Sequence, residues 1–362
     1  MMYIAFFVMV FAVLQLCIAF ANMVIRPTLK SQSSHFDDLV SIMIPARNEE
    51  NNIIQLLTDL QHQTYKNIEI LVFNDQSTDR TAELVKEMAL YDKRIRLINS
   101  DGLPENWLGK NFACHSVAQL AQGDFFLFID ADVRLNEDAV NQSVEYMHKS
   151  KVSLMSIFPK QTMLSYGEKM VVPLMNYILL TLLPLFLVRF SKALSLSAAN
   201  GQFMLFEAEA YQQIKPHEVL KAEKVEDIRI ARLFKKLKFK TACLTGSDNI
   251  NCRMYQNYQE SLNGFSKNVT MFFGNSYILA LLFWCITTWG FIPVLTSLPI
   301  LWFWLLNLIV LLTRIFVSVA SRQQILSNLI LIIPQQLSLG IIIFKSLQYK
   351  MRGNYEWKGR KI

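Results

Sequence analysis

Phe125-Phe126-Leu127-Phe128-Ile129-Asp130-Ala131-Asp132 drives an apolar run straight into two carboxylates spaced i, i+2. On a strand, residues i and i+2 point to the same face. Asp130 and Asp132 therefore converge on one side, while the apolar residues before them fill a sheet covered on both faces. Oxygen ligands of this kind suit Mg²⁺ or Mn²⁺, which complete their shells with water and substrate phosphates. The pair thus points to a nucleoside diphosphate leaving group. An acidic turn that merely ends a strand is the plainer reading of the same residues.

Working outward, strands and helices alternate. The pattern predicts strands over Val40 to Pro45, Ile68 to Asn74, Ile95 to Asn99 and Phe125 to Asp130. Between them it predicts helices over Glu49 to Gln63, Thr78 to Leu90 and Lys110 to Ala121. That rhythm predicts an α/β fold with a mostly parallel sheet, in which ligands bind beyond the carboxyl ends of the strands. Polar residues cluster at those ends, at Pro45-Ala46-Arg47-Asn48-Glu49, Asn74-Asp75-Gln76-Ser77-Thr78-Asp79 and Asp130-Ala131-Asp132.

Composition sets the surroundings. Of 362 residues, 52% are hydrophobic, too many for an ordinary soluble enzyme, so the chain belongs in or on a membrane. Five scattered cysteines without CxxC spacing indicate neither a disulfide framework nor a zinc site. The net charge of +7 gathers beside apolar segments and in the tail, which suits lipid headgroups and diphosphates. No basic stripe interleaved with aromatics lies elsewhere, which argues against a nucleic-acid partner.

Met2 to Val24 is uncharged and long enough to cross a bilayer, which predicts an N-terminal anchor over residues 1–26. Arg26 and Lys30 follow it, so the positive-inside rule places the next domain, residues 38–270, in the cytoplasm. Residues 275–348 hold further membrane segments. Tyr277 to Val319 reads as a hairpin broken around Pro293 to Pro299, and Leu326 to Phe344 as a re-entrant or interfacial piece interrupted at Pro334-Gln335-Gln336. Residues 349–362 form a basic cytoplasmic tail. The expected location is the plasma membrane, multi-pass. Met170 to Val188 is apolar enough to span but contains Pro173 and Pro184. Spanning would put Asp227 across the membrane from Asp130, so residues 168–190 are read as interfacial helices.

Each polar cluster has a use and a plainer role. Asp75 can accept the imide N–H of uracil and Glu49 can approach a ribose, while Ser77, Thr78 and Asp79 cap the following helix. Arg47 can steady a phosphate or face solvent. Lys110, before a helix, can neutralise a phosphate or be an ordinary exposed lysine. Glu226-Asp227 opens a helix over Asp227 to Lys236, whose positive end favours an ionised Asp227 able to take a proton. In Asn200 to Phe206, Gly201 permits close approach and Gln202 can hydrogen-bond an acceptor hydroxyl, or the segment simply starts a strand. Arg253 can reach a phosphate or snorkel to headgroups.

Together IPARNEE, NDQSTD, FIDADV and Glu226-Asp227 resemble the family 2 glycosyltransferases over roughly residues 40–267. The resemblance implies a nucleotide-sugar domain of GT-A type, with Asp75 on the base, Asp130 and Asp132 on the donor diphosphate and its metal, and Asp227 of the Glu226-Asp227 pair as catalytic base. From the residues themselves, Pro45, Arg47, Glu49, Lys110 and Arg253 are read as further donor contacts, and Gly201 and Gln202 as the acceptor side. The Gln-x-x-Arg-Trp motif of processive polysaccharide synthases is absent. Arg253-Met254-Tyr255, Gly264-Phe265-Ser266-Lys267-Asn268 and Trp357-Lys358-Gly359-Arg360 are instead similar to membrane glycosyltransferases acting on carotenoid-type lipids. The expectation is an inverting, metal-dependent transfer of a hexose, glucose from UDP-glucose, to a membrane lipid. A processive exopolysaccharide synthase and a non-enzymatic sugar-nucleotide-binding scaffold are the rival readings.

Overall fold

The computed structural model describes residues 1–30, 36–352, 356–357 and 360–361, the last two pairs as backbone. Ten strands precede the C-terminal helices: β1 (Val40–Ala46), β2 (Ile68–Asn74), β3 (Ile95–Asn99), β4 (Phe125–Ile129), β5 (Val133–Leu135), β6 (Leu154–Phe158), β7 (Lys160–Gln161), β8 (Phe203–Glu207), β9 (Thr241–Thr245) and β10 (Ile250–Cys252). Seven make the central sheet in the order β3-β2-β1-β4-β8-β6-β9. β8 alone runs antiparallel to its neighbours; the other pairings are parallel. This is the mostly parallel sheet expected. A second sheet, β5-β10-β7, closes one end.

Alternation along each strand builds two cores. Val40, Ile42, Ile44 and Ala46 of β1 join Phe125, Leu127 and Ile129 of β4 in one apolar cluster. It includes residues of α2 (Ile53–Gln61), α3 (Thr81–Tyr91) and, beyond α4 (Gly109–Ala118), α5 (Ala139–Ser150). Met43, Phe126 and Phe128 point the other way, toward α4. Side chains buried on both faces explain the unbroken apolar runs that marked these strands.

Register fixes the working edge. Ala46 pairs with Asn74, and Ile129 pairs antiparallel with Phe203. The loops after β1, β2 and β4 and the turn before β8 therefore open on the same side. α2 and α3 begin later than expected, because residues 49–52 and 75–80 are spent tying these loops together. Asn48 Oδ1 accepts the Thr78 amide (2.9 Å), Ser77 Oγ accepts the Asn48 amide (3.1 Å), and Glu50 Oε2 accepts the Arg80 amide (3.1 Å). Of the residues expected to cap α3, Asp79 does so through the Thr81 amide, while Ser77 and Thr78 bind Asn48.

Among the described residues two helices are long and apolar enough to cross a membrane: α1 (Met2–Ile25) and one near the C-terminus, Ile300–Ala320. Between the sheet's elements run α6 (Tyr166–Val171), α7 (Pro173–Leu182), α8 (Phe186–Phe190), α9 (Ala208–Ile214), α10 (Pro216–Val219) and α11 (Glu226–Lys236). Then follow α12 (Tyr258–Asn268), a 3-10 turn (Val269–Phe273), α13 (Tyr277–Trp289), α14 (Phe291–Ser297), α15 (Ile300–Ala320), α16 (Ile325–Ile330) and α17 (Ile332–Arg352). The segment Tyr258–Phe273 meets α13 at a 99° bend and together they form a third candidate span. At about 1.5 Å per residue, α7 is too short to cross ~30 Å of hydrocarbon. Its residues from Pro173 to Thr181 are all buried, and it packs against α1, α15 and α17.

The interruption expected at Pro334-Gln335-Gln336 lies earlier, at Leu331 between α16 and α17. Pro334 sits in the first turn of α17, where a missing amide leaves no helical hydrogen bond unmade. The expected tail falls largely outside the described residues. Within it, Glu356 and Trp357 pair antiparallel with Lys361 and Arg360.

Candidate active site

At the open edge of the sheet, Lys110 in the first turn of α4 ties three segments together. Its Nζ lies 2.8 Å from Asp130 Oδ1 and 3.6 Å from Glu226 Oε1, and it donates to the Gly201 carbonyl at 3.4 Å. Burial alone would favour the neutral amine. Asp130 and then Glu226 outweigh it and hold the ammonium well above the usual lysine range. Lys110 is thus neither a loop lysine nor exposed.

Gly201 sits where a side chain would crowd these groups. Its amide donates to Asp227 Oδ2 at 3.0 Å, and a Cβ there would lie 3.1 Å from Lys110 Nζ and 3.4 Å from Glu226 Oε1. Asp227, in the first turn of α11, also accepts the Ile228 amide at 2.7 Å. The helix end was expected to keep Asp227 fully ionised. Instead, burial and then Glu226 push its carboxyl up to about 7, against the pull of those amides and Lys110. Desolvation exceeds the helix-end effect because the carboxylate, though open to a cleft, is hemmed in by protein.

Asp132 lies behind Asp130. Burial, then Asp130, then Glu49 raise its carboxyl to about 7, and its Oδ1 is buried without a hydrogen-bond partner. Crowded carboxylates with an orphaned oxygen are a donor set that a divalent cation satisfies. Among the described residues no three His, Cys, Asp or Glu side chains form a metal-binding group. The chain alone therefore supplies fewer ligands than such a cation needs.

The loops after β1 and β2 are bound to each other at the same edge of the sheet. Arg47 donates through Nη1 to the carbonyls of Asp75 (2.6 Å) and Gln76 (3.2 Å), bracing the turn that carries Asp75. The Asp75 amide donates to the Ala46 carbonyl at 2.8 Å, and Asp75 is 2% exposed. Pro45 is the penultimate residue of β1, and Glu49 accepts from Asn52 while its amide donates to Thr81 Oγ1 at 2.8 Å.

Two expected site residues are employed elsewhere. Gln202 is buried and donates to Cys252 Sγ at 2.9 Å, with Gln161 donating to its Oε1 at 3.4 Å. Its amide group ties the start of β8 to β7 and β10. Arg253 grips Glu168 with Nε and Nη2 (3.0 and 3.4 Å). Glu168 in turn closes a capping box with Ser165 at the start of α6. That pairing is the partner Arg253 has within the fold.

Sequence reading missed what lies on the other side of Asp227. A cavity of about 220 Å³ reaches from Asp227, Asn200 and Arg232 into a wall of Met175, Ile178, Leu179 and Leu182 of α7, closed by Phe265 and Phe272. Ser197 Oγ, buried and without a partner, also lines it. The signal available was α7 itself, apolar on every side although too short to span.

A mostly parallel α/β sheet with carboxylates at its open edge is the architecture of a GT-A type domain. The profile of glycosyl transferase family 2 matches residues 41–215, so the chain carries a domain of that family. It is 25% identical over 245 residues to the 4,4'-diaponeurosporenoate glycosyltransferase of Staphylococcus haemolyticus, covering 67% of this chain and 64% of that one. The protein of that name from Staphylococcus aureus is 33% identical over 137 residues, 37% of this chain and 35% of the relative. The chain thus aligns with less than two thirds of the length of these relatives. A solved mannosyltransferase from Pyrobaculum calidifontis, in complex with GDP-Man and Mn²⁺, shares the fold at TM-score 0.57 and 15% identity, covering 96% of this chain and 99% of that one.

Proposed function

We propose that this glycosyltransferase moves a hexose, glucose from UDP-glucose, onto a hydroxyl or carboxylate of an apolar membrane lipid of carotenoid or other isoprenoid type, with inversion. One observation carries the acceptor half of this reading: Asp227 is a carboxylate at the polar end of a cavity walled by α7, α12 and the 3-10 turn. An apolar chain fits the wall, and its reactive end then meets Asp227. The relatives named for 4,4'-diaponeurosporenoate support the lipid class.

In this reading Asp227 takes the proton of an acceptor hydroxyl. Glu226 beside it keeps Asp227 basic enough to do so. Pro45, Arg47, Glu49 and Asp75 shape the nucleoside recess, and Lys110 faces the diphosphate. Asp130 and Asp132 would hold Mg²⁺ or Mn²⁺ with diphosphate oxygens. When bound, the cation offsets the negative charge that builds on the departing diphosphate. A single base opposite the leaving group calls for one in-line displacement and no covalent sugar intermediate. The same proposal sets α1 and residues 275–348 in the plasma membrane, with the catalytic domain on its cytoplasmic side.

The test is nucleotide release by detergent-purified, full-length protein with Mn²⁺ or Mg²⁺. A panel of UDP- and GDP-sugars is assayed with and without total membrane lipid. Lipid-dependent turnover of one donor is expected, with Asp227→Asn slower by about 10²–10⁴-fold yet still binding the nucleotide. Full turnover by Asp227→Asn, or release indifferent to lipid, overturns the reading.

A further inference from the structure

Where α1 ends, the structure holds a second opening, separate from the sugar-transfer site. A cavity of about 310 Å³ is bounded by Arg26 and Lys30 just after α1, by Lys149 of α5, by Arg189 and Phe190 of α8, and by Cys243 of β9. Its charge is unbalanced. Lys149 Nζ lies 2.6 Å from Glu145 Oε1, which neutralises it. Among the described residues no carboxylate forms an ion pair with Arg26, Lys30 or Arg189.

Arg26 is the most telling of the three. Its Nε and Nη2 are buried without a hydrogen-bond acceptor. Asp248, whose charge it feels, already accepts Lys160 at 2.7 Å and Arg322 at 2.5 Å. Arg189 gives Nη2 to the Ser150 carbonyl at 3.4 Å and stacks on Phe190, a contact that leaves its charge unneutralised. Buried guanidinium N–H groups left unpaired are costly, so the geometry calls for an anion from outside the chain.

The rim of the cavity is apolar. Ile25 and Phe190 are 51% and 72% exposed. They stand where α1 leaves the bilayer, beside the cations. A ligand satisfying both features is anionic at one end and hydrocarbon at the other. A free phosphate ion offers the same oxygens but nothing for Phe190.

We propose that this cavity binds the phosphate headgroup of an anionic phospholipid, with its acyl chains along α1 and Phe190. The membrane leaflet at this end of α1 supplies the ligand. Its phosphate oxygens accept from Arg26 and Arg189, and Lys30 closes the rim. The site lies against β9, whose Thr245 amide is held by the Pro27 carbonyl at 2.9 Å. A bound lipid therefore fastens the edge of the catalytic sheet to the membrane surface.

The test uses full-length protein, delipidated in detergent and titrated with dioleoylphosphatidylglycerol, dioleoylphosphatidylcholine or inorganic phosphate. Retained lipid is read by native mass spectrometry and protection by thermal melting. Phosphatidylglycerol should bind about tenfold more tightly than phosphatidylcholine, and Arg26→Gln/Arg189→Gln should erase that preference. Lys86→Gln/Lys93→Gln, on the soluble domain, should keep it. Equal binding of the two lipids, an unaffected double variant, or equal protection by inorganic phosphate overturns the proposal. If the double variant does not fold, Lys30→Gln carries the same test at an exposed position. A several-fold loss of preference supports the site, and no loss overturns it.

Discussion

The backbone amide of Gly201 donates to Asp227 Oδ2 at 3.0 Å, so the position of the proposed base is set by a residue with no side chain. A methyl at Gly201 would press on Lys110 Nζ at 3.1 Å and on Glu226 Oε1 at 3.4 Å. Both neighbours are flexible side-chain ends, so the fold should survive while the charges shift. Gly201→Ala is expected to melt within a few degrees of wild type and to lose about 10- to 100-fold in kcat, the penalty of sub-ångström misplacement at a reacting centre. Melting and steady-state rates measured on one preparation check this. An unchanged kcat would mean that the Lys110–Glu226–Asp227 cluster tolerates displacement.

The same base predicts a pH profile. Burial and Glu226 raise Asp227 to about 7. A general base works deprotonated, so kcat/KM for a hydroxyl acceptor should climb with pH and level off above that value. Below it, activity should fall about tenfold per pH unit. Asp227→Asn should lack this limb. A profile flat from pH 5.5 to 8.5 would point instead to an acceptor that is already anionic and needs no base.

Asp132 offers a different separation of stability from function. Its Oδ1 is buried without a partner and its carboxyl is crowded by Asp130 and Glu49. Asp132→Asn removes one of the crowded charges, so the metal-free variant should melt higher than wild type, by about 2–4 °C for each kcal/mol relieved. Mn²⁺ should raise the melting temperature of wild type in the presence of UDP and leave the variant unchanged. A variant that still gains from Mn²⁺ would remove Asp132 from the metal site.

Much of this was legible in the sequence because it is local. Ile68–Asn74 and Ile95–Asn99 were bounded to the residue, since an apolar run between turn residues has one reading. The orientation of β8 was not legible. A strand buried on both faces shows the same continuous run whether parallel or antiparallel. Lys110, Asp130, Asp227 and Gly201 were found as separate motifs, and the structure brings them together. The partners that Gln202 and Arg253 have in the fold, Cys252 and Glu168, are 50 and 85 residues away and nothing in the local pattern announces them. The short strands β5, β7 and β10 lie below the length at which periodicity speaks.

The first helix was read as an anchor, and the contacts made by Asn22 give it a second task. Asn22 Nδ2 donates to the carbonyls of Leu180 (3.0 Å) and Leu183 (2.9 Å), and its Oδ1 accepts the Leu185 amide (2.8 Å). Those three backbone groups lie where α7 breaks toward α8, and Leu182 and Leu183 beside them line the cavity at Asp227. With the side chain removed they would be left unpaired in an apolar setting, at about 1–3 kcal/mol each before relaxation. Asn22→Leu keeps the hydrophobicity needed to enter a membrane but should lower the melting temperature by several degrees. It should also raise KM for the lipid acceptor more than for the nucleotide sugar. Deleting residues 1–25 should likewise abolish transfer to lipid even where the sheet still binds nucleotide. Comparing acceptor and donor KM in Asn22→Leu, with membrane insertion verified by fractionation, decides between the two roles. Insertion with both KM values unchanged would leave α1 an anchor only.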